Sequence, residues 1–174
     1  MIKQVEAAQQ LCELLLWDSP VLAQKCFATF QHSIDSNDDC FDLAEALRKA
    51  LRPILSYRDW DELDAMLDDL QRLANMRRLP IVLVTNNEDG TQELDDDDDD
   101  EPRFNSEDSD EFLAQVNDAL VEDGYNLWSW ETDSGVFCVF IAQAQDKDAI
   151  YNIVYTLGFT DDSGVAIRCC DVIG

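Results

Sequence analysis

The chain has 174 residues, 46% of them hydrophobic, enough for the core of one domain or of two small units packed together. Its formal charge of −26 at pH 7 argues against nucleic acid as a direct ligand, because phosphate recognition needs a basic surface. No apolar run approaches membrane-spanning length and no basic-then-apolar leader opens the chain, so a cytoplasmic protein without a membrane segment is expected.

The first 78 residues read as a helical region of about four helices. Val5, Ala8, Leu11, Cys12, Leu15 and Leu16 recur at helical spacing until Asp18-Ser19-Pro20 breaks the pattern. Pro20 suits the first position of a second helix, with Ser19 as its cap and Leu22, Ala23, Cys26, Phe27 and Phe30 on one face. A polar turn, Asp35 to Asp39, precedes a third helix with Leu43, Ala44, Leu47 and Leu51 inward, and Pro53 ends or kinks it. The fourth is expected from near Asp59 through Leu63, Met66, Leu67, Leu70 and Leu73, its polar face carrying Asp61, Asp64, Asp68 and Asp69. Arg72, Arg77 and Arg78 fall towards its C-terminal end, where cations suit the helix dipole.

From Leu79 the period changes. Ile81-Val82-Leu83-Val84 is a β-branched run typical of a buried strand. A helix follows from Phe112 to Val121, capped by Ser109 and stopped by Gly124. Tyr125 to Glu131 and Val136 to Ala142 form a hairpin around Thr132-Asp133-Ser134-Gly135. A last helix opens at Gln145 or Asp146 and stops at Gly158, before a strand over about Val165 to Val172. The order from residue 79 to 174 is therefore β-α-β-β-α-β, a ferredoxin-like α+β unit with an antiparallel four-stranded sheet. The helical region is expected to pack with it as one globule.

Fourteen acidic residues and one arginine fall between Glu88 and Glu111, centred on six aspartates: Asp95, Asp96, Asp97, Asp98, Asp99 and Asp100. Like charges this dense repel one another and offer nothing to bury, so residues 86–108 read as a solvated, disordered loop in the first crossover. Asn87, Asp89 and Gly90 match three positions of an EF-hand loop, but the ligand count and helical context fail, and no metal is expected.

Six cysteines form no C-x-x-C pair, and those on apolar faces read as buried reduced thiols. His32, near the end of a helix, reads as solvent-facing or capping. No nucleophile elbow, HExxH or phosphate-cradling glycine loop occurs, so neither an enzyme nor a cofactor is expected.

Trp128 and Trp130 share one face of their strand. They belong to a core beneath the N-terminal helices, or, if those helices pack elsewhere, to an exposed hot spot. The order of N-terminal helices, acidic segment, the W-x-W-E-T-D-S-G-V-F-C-V-F hairpin from Trp128 to Phe140, and a closing helix with a glycine stop resembles an uncharacterised family of small acidic bacterial cytosolic proteins. That resemblance covers most of the chain and implies no catalytic residues. In size and charge alone, the chain also resembles immunity proteins that neutralise bacterial toxins.

The functional expectation is a non-enzymatic binding protein, an inhibitor or immunity protein that masks a basic protein partner such as a toxin. Its binding residues are expected among Asp95 to Asp100, Glu101 and Phe104, the helix acids Asp61, Asp64 and Asp68, and Trp128 and Trp130. The alternative from another class is a small regulatory or ligand-sensing domain, by analogy of fold.

Overall fold

Prolines and glycines set several of the element boundaries. The computed structural model describes residues 2–36, 42–59, 61–83, 108–132, 136–160, 163 and 165–171. Helix α1 (Ile2–Leu15) ends before the Asp18-Ser19-Pro20 corner, and α2 (Pro20–Asp35) begins on the proline. Ser19 precedes α2 but its side chain makes no capping hydrogen bond. Asp42 does cap α3 (Leu43–Leu51), accepting the Glu45 N–H at 3.0 Å, and Pro53 lies in the 3₁₀ turn that ends the helix. Gly124 and Gly158, both with positive φ (86° and 82°), stop the two later helices.

The region expected to be wholly helical supplies a strand. Ser56–Asp59 forms β1, and α4 (Leu63–Met76) starts four residues later than expected. Helix α5 (Ser109–Glu122), the hairpin β2 (Tyr125–Trp130) and β3 (Val136–Gln143), α6 (Lys147–Leu157) and β4 (Ile167–Cys169) follow. The cap of α5 is Asp108 rather than Ser109; its carboxylate accepts the Asp110 N–H at 2.9 Å.

Of the expected strand at Ile81–Val84, Ile81 to Leu83 are not in a strand among the described residues, and Val84 lies outside them. The Gln71 side chain takes the place of a neighbouring strand. Its amide donates to the Ile81 carbonyl at 3.0 Å and accepts the Leu83 N–H at 2.6 Å. Ile81 and Leu83 are buried while Val82 is exposed.

The sheet is antiparallel throughout, in the order β1-β3-β2-β4. β1 therefore runs parallel to β2 with β3 between them, and β4 parallel to β3 with β2 between them. β1 sits at an edge, whereas the ferredoxin-like arrangement puts the first strand in the centre.

Alternation along the strands gives the sheet two apolar faces. Trp128, Trp130, Cys138, Phe140, Ile167 and Cys169 face a core shared with α1, α2, α3 and α6. Leu127, Val139 and Ile141 face a second core with α4, α5, Ile81 and Leu83. The register sets Trp128 opposite Phe140 and Cys169, which concentrates the largest side chains at the centre of the first face.

Candidate functional site

The second face is less completely covered than the first. Helix α5 lies against β2 and α4 against β1. The far end of the sheet, where β4 pairs with β2, lies beyond both helices. Ser129 and Arg168 are partners in the ladder there. Their neighbours Trp128, Trp130, Ile167 and Cys169 point into the first core, so Ser129 and Arg168 point to the α5 side.

A groove of about 530 Å³ follows, lined by Ser129, Arg168, Cys169, Cys170 and Asp171 from the sheet end and by Asp110, Glu111, Leu113, Ala114, Gln115 and Asp118 from α5. The helix residues recur at intervals of three and four, which brings them onto one side of α5. A second hollow of about 240 Å³ shares Asp110, Ser129 and Arg168 and extends to Glu131, Thr132, Val136 and Phe137. The two make a continuous trough.

Carboxylates dominate its rim. Among the described residues, Asp110, Glu111, Asp118, Glu131 and Asp171 line it against one cationic side chain, Arg168. Arg168 pairs with Glu131 at 3.6 Å, both side chains half exposed. The hydrogen bond from Lys147 holds the Asp171 carboxyl below the ordinary carboxylate range, so the acid is fully ionised at neutral pH. Leu113, Ala114, Val136 and Phe137 add apolar surface, which suits the aliphatic stems of long cationic side chains. Burial pushes the Cys170 thiol up to about 12, against a weaker opposing hydrogen bond from Ser129. It remains a neutral thiol at pH 7 and is no activated nucleophile.

The edge next to the trough is guarded. The Ile167 N–H donates to the Phe159 carbonyl at 3.2 Å, and the Cys169 N–H to the Tyr151 hydroxyl at 3.3 Å. Two donors of β4 are thus taken by α6 and the turn that follows it, which disfavours recruitment of another strand. A ligand here meets side chains rather than a free ladder.

The residues singled out in the sequence are scattered by comparison. Asp64 and Asp68 are exposed on α4, and Asp61 is exposed in the turn before it. Asp69, read as part of the same solvated face, instead accepts from Arg58 at 2.8 Å and Ser56 at 3.2 Å, and pairs with Arg72 at 3.2 Å, tying α4 to β1. Trp128 and Trp130 are 0% and 1% exposed in the core beneath the N-terminal helices, which is the first of the two settings expected for them rather than the exposed hot spot. Asp95 to Asp100, Glu101 and Phe104 lie outside the described residues. His32 is exposed near the C-terminal end of α2.

Sequence reasoning missed Ser129, Arg168, Asp118 and Asp171. The spacing of Asp110, Glu111, Ala114, Gln115 and Asp118 was available as a helical signal. Nothing local marks Arg168, which gains its setting only when β4 pairs with β2.

A family model matches residues 7–163, and the hairpin and both later helices fall within it. The chain belongs to this family, a domain of unknown function (DUF6630). No curated protein and no solved structure matches it. Among the described residues of this DUF6630 chain, no helix is long and apolar enough to cross a membrane, and no three metal-ligating side chains are grouped to hold an ion.

Proposed function

We propose that the chain acts by binding rather than by catalysis, as an acidic protein that masks a basic surface of a protein partner. Inhibition, in the manner of an immunity protein against a toxin, is its most concrete form. The observation that carries this reading is the acid-rimmed trough between α5 and the β4 end of the sheet. The acidic segment from Glu88 leads in sequence directly into α5, so its last members, Asp110 and Glu111, are also lining residues of the trough. A partner drawn by the long-range field of a −26 chain would meet a shaped, partly apolar surface at the end of that segment.

The test is affinity capture on the purified chain from its native host at low and raised salt, then reconstitution of each retained protein with the chain. A basic protein that binds in purified form, and weakens steeply with ionic strength, supports the proposal. Retention only of neutral or acidic proteins, or binding indifferent to salt, contradicts it.

A further inference from the structure

The trough already holds a guanidinium. Arg168 is the one cationic side chain among its described lining residues, and Glu131, with which it pairs, lies on the same rim. The pair is long, at 3.6 Å, and half exposed on both sides, the class of ion pair that contributes little. Around it stand Asp110, Asp118 and Asp171, with Leu113, Ala114 and Phe137 supplying apolar wall. A site with this composition accommodates a long cationic side chain, since its own chain places one there.

We infer that Arg168 is an internal occupant of a recognition site for an arginine-bearing segment of the partner, and that the partner's guanidinium replaces Arg168 at Glu131. The inference rests on the basic-partner reading and names the side chain that the site takes. Charge complementarity selects a cation, and the resident guanidinium indicates which shape of cation fits. The capped β4 edge makes recognition depend on side chains rather than on strand addition. Arg168 would then act as a brake. An internal competitor lowers the apparent affinity by the fraction of time it fills the site. It also screens out ligands too weakly cationic to displace it.

The experiment uses the full chain, ¹⁵N-labelled, titrated with the synthetic peptide acetyl-Arg-Val-Arg-Val-Arg-amide at low salt. Saturable shifts at Ser129, Glu131, Arg168 and the α5 residues Ala114 and Asp118 are expected. Arg168→Gln should then tighten the peptide about three- to tenfold by removing the competitor. Arg72→Gln makes the same change in net charge on α4, outside the trough, and should tighten it less than about twofold. Glu131→Gln, which removes the negative charge facing the guanidinium, should weaken binding about three- to tenfold. Equal tightening by Arg168→Gln and Arg72→Gln overturns the inference, because the effect would then be net charge alone. Shifts confined to α4 or to residues 88–107 also overturn it, while leaving the basic-partner reading in place. No saturable shift anywhere, together with failure of affinity capture, overturns both.

Discussion

The two faces of the sheet differ in how completely they are closed. On one, α1, α2, α3 and α6 cover a core centred on Trp128, Trp130 and Phe140. On the other, α4 and α5 cover β1, β3 and part of β2 and leave the β4 end open to a charged trough. The closed face holds two indole N–H groups, those of Trp128 and Trp130, that find no hydrogen-bond partner among the described residues. Buried donors without partners cost free energy, so packing there has to outweigh polar satisfaction. The second face buries a smaller core of its own, with Leu70, Val116, Leu120, Leu127 and Val139 at its centre, and holds its polar groups at the rim beside β4. The larger core lies on the first face, and the proposed recognition surface on the second.

That division is sharpest at its largest effect. Trp128→Ala should cost about 3–5 kcal/mol in urea unfolding, because the ring is buried against Phe140 and Tyr151. Trp128→Phe should cost less, about 1–2 kcal/mol, since no indole hydrogen bond is lost. A loss for Trp128→Ala below that of an ordinary surface change would break the contrast between the faces.

Gln71→Ala should rank second. It leaves the Ile81 carbonyl and the Leu83 N–H without the side chain that serves both, at about 1–3 kcal/mol. The Leu83 amide should then exchange faster with solvent deuterium than in the parent, and an unchanged rate would show that another group holds that segment.

Asp69→Ala should cost about 1–2 kcal/mol by releasing Ser56 and Arg58 of β1. The hydrogen bond from Arg58 holds the Asp69 carboxyl below its ordinary value of 3.8. A depressed folded value means that the carboxylate's contribution is fully present above the unfolded value and is lost as pH falls through the folded one. The stability gap between parent and variant should therefore be constant at neutral pH and shrink below about pH 4. A gap that widens on acidification contradicts this role.

The smallest effects belong to the exposed acids on α4 and in the turn before it. Asp61→Asn, Asp64→Asn and Asp68→Asn should each shift stability by no more than about 0.5 kcal/mol. Urea midpoints that move further would show that α4 carries more than a solvated face.

Much of the fold was legible because periodicity and punctuation agree with it. The faces of α1, α2 and α3 and the Trp128–Phe140 hairpin follow from spacing alone, and Gly124 and Gly158 mark the helix ends. β1 was not legible, because Ser-Tyr-Arg-Asp shows only one apolar residue and becomes a strand through pairing with β3 and the Asp69 tie. Ile81-Val82-Leu83 misled for the opposite reason. Its composition is that of a strand, yet the Gln71 side chain from α4 bonds the Ile81 carbonyl and the Leu83 N–H. The trough was legible only in half. Its α5 side follows a helical repeat, whereas Ser129 and Arg168 meet across a ladder between residues far apart in the chain. The abundance of acid hid which acids are arranged around a groove.

The central claim, that the α5–β4 trough is where a basic partner docks, is tested most directly by filling it without changing its charge. Ala114→Trp places a large ring on the half-buried α5 wall of the trough. Its affinity for the captured basic partner, measured calorimetrically beside the parent chain at equal salt, should fall at least about tenfold with the urea midpoint nearly unchanged. Unchanged affinity in a folded Ala114→Trp chain would contradict the claim.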